Sequence, residues 1–302
     1  MLEALDVSVQ FRKGIGRKKI RALDHMSLEV REGDFFALLG ENGAGKSTAM
    51  YCFLGLLRPT AGTVRLFGAA PEPGSPVYSR IAFLPEEPHY HLYLTVEEAV
   101  EFYGSLFGRK PDPKRVAAIL DRLGLSEFRK LRLSKCSKGM KQKVGIAQCL
   151  LNEPRILFLD EPMRGLDPFV VKEVRDILLE LHRGGATIVM NSHMLAEVEA
   201  VATRVAILAR GKVVVEDSLS NILSAGINAY AIEVETETAE LPPFFAEERR
   251  AGNVVHGSIP ANRFYEFMDF ARDRHLRVNS CSVKRSSLED SFLAVVRGSH
   301  DA

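Results

Sequence analysis

Residues 35–48 read FFALLGENGAGKST and predict a buried strand, a glycine-rich loop and the start of a helix. The loop fits the pattern GxxxxGK(S/T), in which glycines let backbone N–H groups turn towards phosphate oxygens. Lys46 supplies a cation, the Ser47 hydroxyl can ligate Mg²⁺, and the helix adds its positive end. With Thr48, the predicted phosphate-binding residues are Gly40, Glu41, Asn42, Gly43, Ala44, Gly45, Lys46 and Ser47.

The segments around this stretch predict the rest of an α/β fold. Two more apolar runs, RILFLD at 155–160 and ATIVMN at 186–191, predict buried strands of a parallel sheet. The opening LEALDVSVQF alternates apolar and polar residues, which predicts a β-rich N-terminal subdomain, and helical signals dominate from 95 to 151. We expect this α/β domain to span 1–225 and a small α+β module to follow over 226–302. In the module, the sequence predicts strands at 229–236, 253–259 and 277–283 and helices at 261–275 and 287–296.

Two adjacent carboxylates follow the predicted strand at 155–160. Successive strand residues point in opposite directions, so Asp160 and Glu161 can take different tasks at the end of the strand. Asp160 can hold the shell of a Mg²⁺ ion, and Glu161 can act as a general base on an attacking water. The pair therefore indicates hydrolysis of a nucleotide rather than binding alone.

Composition excludes several function classes. The 302 residues carry 40 Lys+Arg and 39 Asp+Glu, which argues against a surface built for nucleic acid. No run approaches the roughly 18 apolar residues of a spanning helix, and the first residues do not resemble a secretory leader. The four cysteines are isolated, without disulfide or metal spacing. We expect a cytoplasmic protein.

Five motifs in order carry a resemblance to a known family. Besides the phosphate loop and LFLDEP at 157–162, they are CSKGMKQK at 136–143, Gly165-Leu166-Asp167 and His193. Together with Phe11, this order resembles the nucleotide-binding domain of ABC transporters over residues 1 to about 222. The resemblance implies a P-loop NTPase fold of ABC type, with ATP and Mg²⁺ as ligands.

The resemblance also implies a role for individual residues. Phe11 stacks on adenine, although a phenylalanine in an alternating strand is also typical of a core. Ser137 and Gly139 belong to the signature that meets ATP on a partner subunit, and Asp167 shapes the interface between two nucleotide sites. The implied catalytic residues are Glu161 and His193, and the implied metal-contacting residues are Ser47, Asp160 and Glu86.

The sequence departs from the family pattern at three positions. Glu86 stands where the family has the Q-loop glutamine, and it adds a negative charge near the phosphates. Lys138 replaces the first glycine of the signature, and Met140 replaces its glutamine. Lys138 either adds a cation near the transferred phosphate or faces solvent.

The resemblance further implies partners and a location. We expect a second copy or a homologous ATPase subunit, a separate integral-membrane permease, and attachment to the cytoplasmic face of the membrane. The permease is expected to dock on 86–110, and the tail at 287–293 is similar to that of exporter ATPases.

A basic cluster at 12–21 is either a solvated turn or a contact for anionic headgroups. The alternative is a soluble ABC-type ATPase in nucleic-acid or ribosome processes, or a nucleotide-sensing regulator.

Overall fold

The computed structural model describes residues 1–13, 18–106, 110–224, 229–236, 241–284 and 287–293. The chain divides into two compact units, Met1–Asp217 and Ser218–Ala302. The division falls at the end of a strand, slightly before the boundary that we predicted near 225. The assignment of 226–302 as an accessory module stays a prediction.

The secondary structure of the chain up to residue 224 alternates strands and helices. The strands are β1 (Leu2–Lys13), β2 (Lys18–Val30), β3 (Phe35–Gly40), β4 (Ala61–Leu66), β5 (Ile81–Leu84), β6 (Ile156–Asp160), β7 (Thr187–Asn191), β8 (Arg204–Ala209) and β9 (Lys212–Ser218). The helices are α1 (Lys46–Phe53), α2 (Val96–Ser105), α3 (Pro113–Arg122), α4 (Lys138–Leu150), α5 (Pro168–Arg183), α6 (Leu195–Val201) and α7 (Leu219–Ser224). Short 3-10 helices span Pro76–Arg80, Ser126–Phe128 and Leu133–Lys135.

Two sheets form the first unit. A three-stranded antiparallel sheet has the order β2-β1-β4, as the alternating N-terminal pattern predicts. A six-stranded sheet has the order β5-β6-β7-β3-β8-β9, and neighbouring strands from β5 to β8 are parallel. Every residue of β3, β6 and β7 is buried, because both faces of a parallel sheet are covered. The predicted α/β fold with a parallel core is confirmed.

The predicted helical segment contains α2, α3 and α4, and each begins with a side-chain cap. Thr95 and Glu98 form a capping box at α2, in which each side chain satisfies a backbone N–H of the other residue. The Asp112 carboxylate accepts from the N–H of Lys114 at α3, and Ser137 caps α4. In the described part of the chain, no helix is long and apolar enough to cross a membrane.

The second unit contains a four-stranded antiparallel sheet with one helix. Its order is β11-β12-β10-β13, with β10 (Ala229–Glu235), β11 (Ala246–Ala251), β12 (Val254–Pro260) and β13 (Arg277–Lys284). The sequence predicted β10, β12, β13 and the helix α8 (Phe264–Asp273) but missed β11, because AEERRA shows no apolar alternation. Pairing with β12 makes this segment an edge strand. Residues 288–293 are helical, and the rest of that predicted helix lies outside the described residues.

Apolar side chains of α8 pack on this sheet and form the core of the second unit. Phe267 is fully buried, and its ring stacks on Phe245 with centroids 5.6 Å apart. The buried members of this core are Ile232, Val234, Phe245, Val255, Ile259, Phe267 and Ala271. Tyr265 lies on the same helix and is 82% exposed. The helix therefore carries one buried and one exposed aromatic residue, and the effects of removing each ring can be compared.

We predict that Phe267→Ala destabilises the second unit by about 3–5 kcal/mol, because it removes a buried ring and leaves a cavity. Tyr265→Ala is the matched control and changes stability by less than about 0.5 kcal/mol. Limited proteolysis of the full chain measures the effect, with cleavage expected within 218–302 only for Phe267→Ala. Equal protease resistance of the two variants would contradict the role of this core.

Candidate nucleotide-binding site

The loop between β3 and α1 forms a cradle of backbone groups. Gly43 and Gly45 have φ angles of +85° and +111°, which L side chains rarely adopt. A Cβ at Gly45 would lie 2.5 Å from the carbonyl oxygen of Ala22 in β2, so only glycine fits this approach. The Ala44 carbonyl accepts from the N–H of Gly211 at 2.9 Å. The antiparallel sheet and the β8–β9 turn thus hold the loop in place.

Lys46 begins α1 and is only 8% exposed. Its Nζ donates to the carbonyl oxygens of Gly40 at 2.7 Å and Glu41 at 3.2 Å. Burial lowers the pKa of this ammonium, and the charges of Glu161 and Asp160 oppose that effect. The cation therefore lies folded onto its own loop, within the electrostatic reach of both carboxylates.

Asp160 ends β6 and lies beside Asn191, its register partner at the end of β7. The Asn191 amide nitrogen donates to Asp160 Oδ1 at 3.1 Å, and both residues are buried. Burial is the largest influence and raises the pKa of Asp160; the Asn191 hydrogen bond lowers it, whereas Glu161 and Glu86 raise it further. Asn191 Oδ1 is buried without a hydrogen-bond partner among the described residues. This edge of the sheet thus holds a buried unsatisfied oxygen beside a carboxylate, and carboxylate and amide oxygens are ligands that fit Mg²⁺.

Glu161 and His193 come together at the ends of neighbouring strands. Oε2 of Glu161 lies 2.7 Å from Nδ1 of His193, a distance at which an ionised carboxylate would accept from Nδ1–H. The backbone N–H of Glu161 donates to the Asn191 carbonyl at 3.0 Å. Glu161 has φ +50°, a rare conformation for a residue other than glycine. This strained backbone directs a buried carboxylate towards the imidazole.

Glu86 lies two residues beyond β5 and forms an ion pair with Arg164. Arg164 follows Glu161 in the loop that leads to Asp167. The sequence analysis identified Glu86 but not its partner, because no spacing rule connects residues so far apart in the chain. Asn191 was missed as well, although its place at the end of the apolar run TIVMN is a signal for a residue at the carboxyl edge of the sheet.

The signature residues lie at the start of α4, against α5. The Ser137 hydroxyl accepts from the N–H of Met140 at 3.2 Å, and a Cβ at Gly139 would lie 2.5 Å from Val170. Lys138 Nζ donates to the Arg164 carbonyl at 2.7 Å. The lysine is exposed to solvent, as one of the two alternatives in the sequence analysis has it, and its ammonium is also bonded to a carbonyl of its own chain.

Asp167 and Phe11 have different surroundings. Asp167 caps α5, where its Oδ1 accepts from the N–H groups of Phe169 and Val170, both at 3.1 Å. Phe11 lies on β1 opposite Ile20 and is 43% exposed, so its ring is not part of a core. Most of the basic cluster at 12–21 falls on residues whose side chains lie outside the described part of the chain.

Comparison with known proteins identifies the family. Residues 23–164 match a family model described as ABC transporter. The chain is 36% identical to the ABC transporter ATP-binding protein sll0415 of Synechocystis sp., over 98% of this chain and 85% of the relative. The chain belongs to the ABC transporter ATP-binding proteins. Within that family it is 38% identical to the bacitracin transport ATP-binding protein BcrA of Enterococcus faecalis, over 91% of this chain and 92% of the relative.

Solved structures of ABC cassettes agree with this family. A dimeric post-hydrolysis state of the cassette MJ0796, bound to ADP and Pi, has a TM-score of 0.65 and 26% identity over 72% of this chain and 99% of that chain. As an ABC transporter ATP-binding subunit, the chain binds ATP and couples its hydrolysis to transport. These findings do not favour the alternative of a soluble ATPase in nucleic-acid or ribosome processes.

We predict that Gly45→Ala lowers the free energy of unfolding by about 3 kcal/mol, because its Cβ meets the Ala22 backbone in an already unfavourable conformation. Gly43→Ala is the control: it also has a positive φ, but no atom lies within 4 Å of the added Cβ, and we expect a loss of about 1 kcal/mol. Urea unfolding followed by circular dichroism measures both. Equal losses would refute the close approach of the loop to β2.

Proposed function

We propose that this chain is one half of an ATPase dimer that hydrolyses ATP with Glu161 and drives a separate membrane permease. The observation that carries the proposal is the contact between Glu161 and His193, 2.7 Å apart and beside the buried cation Lys46. A carboxylate held against an imidazole at the end of a buried sheet suits a base that acts on water next to a phosphate.

The proposed phosphate cradle is the loop Gly40, Glu41, Asn42, Gly43, Ala44, Gly45, Lys46, Ser47 and Thr48. Its backbone N–H groups and the start of α1 would bind the phosphate oxygens, and Lys46 would move its ammonium from backbone carbonyls to the anion. The exposed ring of Phe11 suits stacking on adenine. The role of Phe11 rests on its exposure and on its motif position.

The residues that would hold Mg²⁺ are Ser47, Asp160 and Glu86, with the unsatisfied Asn191 oxygen nearby. When bound, the ion would neutralise phosphate charge and polarise the phosphoryl group. Asp160 is suited to this role because it is buried and, among the described residues, its side chain is hydrogen-bonded through Oδ1 alone. An ionised Asp160 without a cation is costly, which agrees with the raised pKa of this carboxyl.

Glu161 would take the proton of the attacking water as the water oxygen bonds to the γ-phosphorus. The bond to the β-phosphate oxygen breaks, and ADP and phosphate leave. His193 positions the Glu161 carboxylate through Nδ1, and an imidazole protonated on both nitrogens would also donate its Nε2–H to the γ-phosphate. The strained backbone of Glu161 supports a role in the chemistry, since such conformations cluster at functional sites.

The second half of the dimer is a copy of this chain or a homologous subunit. Ser137 and Gly139 lie at the N-terminus of the 13-residue helix α4, which suits binding of a phosphate from the partner's nucleotide. Asp167 fixes the start of α5 and would shape the contact between the two nucleotide sites. Dimeric cassettes among the structural neighbours support this arrangement.

We predict that Glu161→Gln slows ATP turnover by about 100-fold or more, because the amide does not accept the water proton. The variant should still bind Mg-ATP and persist as a dimer, as measured by phosphate release and light scattering. Glu180→Gln, an exposed carboxylate paired with Arg122, is the control and should retain wild-type turnover. Wild-type hydrolysis by Glu161→Gln, or a monomer in Mg-ATP, would sink the proposal.

The proposed docking surface for the permease lies on the segment 86–110, of which 107–109 fall outside the described residues. His91, Tyr93, Phe102 and Tyr103 form an aromatic cluster with ring centroids 5.0–6.2 Å apart. Tyr93 and Phe102 are exposed, which suits an apolar contact with a helix of the permease. This contact would place the subunit on the cytoplasmic face of the membrane.

The proposed direction of transport is export, which the tail at 287–293 supports. The proposed accessory module is 226–302.

We predict that an integral-membrane protein co-purifies with this chain from detergent-solubilised membranes, and that Tyr93→Ala with Phe102→Ala abolishes its recovery. Tyr265→Ala removes an exposed aromatic residue elsewhere and should leave recovery unchanged. Mass spectrometry of the pulled-down material measures the outcome. Recovery of RNA without a membrane protein would favour the soluble alternative instead.

A further inference from the structure

Three carboxylates meet at one edge of the parallel sheet, where the phosphates are proposed to bind. Glu86 follows β5, and Asp160 and Glu161 lie at the end of β6, the parallel neighbour of β5. Glu86 is close enough for its charge to contribute to the raised pKa of Asp160, after the larger effect of burial. Lys46 is the cation on the loop side of this cluster. A further negative charge at this edge would repel a nucleoside triphosphate.

Arg164 supplies a second cation to this edge. Its guanidinium pairs with the Glu86 carboxylate, and its backbone N–H donates to the Glu161 carbonyl at 3.1 Å. About half of the Arg164 side chain and a third of the Glu86 side chain are exposed. The pair therefore has no net charge and lies directly beside the residue proposed as the general base.

Lys138 holds the backbone of Arg164 in place. Its ammonium donates to the Arg164 carbonyl at 2.7 Å, across Gly165. Gly165 has φ +66°, and a Cβ there would lie 2.8 Å from Lys138 Nζ. The two charged residues at positions 86 and 138 thus both contact Arg164, one through its side chain and one through its carbonyl.

We propose that Arg164 is a positioning residue that neutralises Glu86 and holds its carboxylate at the metal-binding edge of the nucleotide site, while Lys138 fixes the Arg164 backbone. This inference rests on the proposed phosphate-binding role of the loop 40–47. Without Arg164, the uncompensated charge of Glu86 repels the phosphates. The repulsion is strongest for metal-free nucleotide, because Mg²⁺ masks part of the phosphate charge.

The test measures binding of the non-hydrolysable ATP analogue AMP-PNP by calorimetry, in EDTA and in Mg²⁺, together with thermal unfolding of the nucleotide-free protein. In EDTA, Arg164→Met should weaken AMP-PNP binding about five-fold, and Glu86→Gln should tighten it by a similar factor. A change of this size corresponds to the interaction energy of a partly exposed pair of charges. The double variant should return to within about two-fold of wild type, because its net charge is again balanced. All these differences should shrink in Mg²⁺.

Two controls separate charge from structure. Arg164→Lys keeps the cation and should bind within about two-fold of wild type, and Arg122→Met removes an ion-paired arginine elsewhere without changing affinity. A double variant as weak as Arg164→Met, or unchanged affinity of Glu86→Gln in EDTA, would overturn the inference and leave the proposed function standing. A wild-type protein that does not bind AMP-PNP would overturn both.

Discussion

The parallel pairing of β3, β6 and β7 sets the geometry of the nucleotide site. Backbone hydrogen bonds pair Leu38 with Asn191 and Asn191 with Asp160, so the residues that end these strands lie at one edge of the sheet. The phosphate loop leaves β3 at the same edge. A shift of one residue in this register would point these polar ends to the other face of the sheet. The backbone hydrogen bonds between these buried strands therefore fix the positions of the site residues.

Burial at this edge gives the site its electrostatic character. Lys46, Asp160 and Glu161 are each less than a tenth exposed, and none has enough water around it to screen its charge fully. The cation and the carboxylates therefore depend on one another and on a neighbouring amide, as the opposed effects on the pKa values of Lys46 and Asp160 indicate. A triphosphate with a metal ion would complete such a set of charges, because each fixed group would gain an opposite charge. Stored strain at Glu161 agrees with a site built for chemistry rather than for stability.

Parts of the chain with a strong local signal could be predicted well. Glycines with positive φ in the phosphate loop, the acidic pair after an apolar run, and the alternation of β1 each reflect a rule that acts over a few residues. β11 was not predicted from the sequence, because AEERRA is extended through its pairing with β12 and its own composition does not favour a strand. The contact partner of Glu86 and Lys138 was not predicted for a related reason. Both residues contact Arg164, which lies in a loop whose path depends on packing.

The fold class, the phosphate loop, the acidic pair and the family can be predicted from the amino-acid sequence, because they follow from local conformational preferences and from motif order. The pairing of charged side chains, in contrast, depends on the tertiary fold. Glu86 and Arg164 are 78 residues apart in the chain, and Lys138 and Arg164 are 26 apart. Such contacts form when the parallel sheet and the packing of α4 against α5 bring loops together, and no short-range preference specifies them. The charge balance of the nucleotide site is therefore a property of the folded chain.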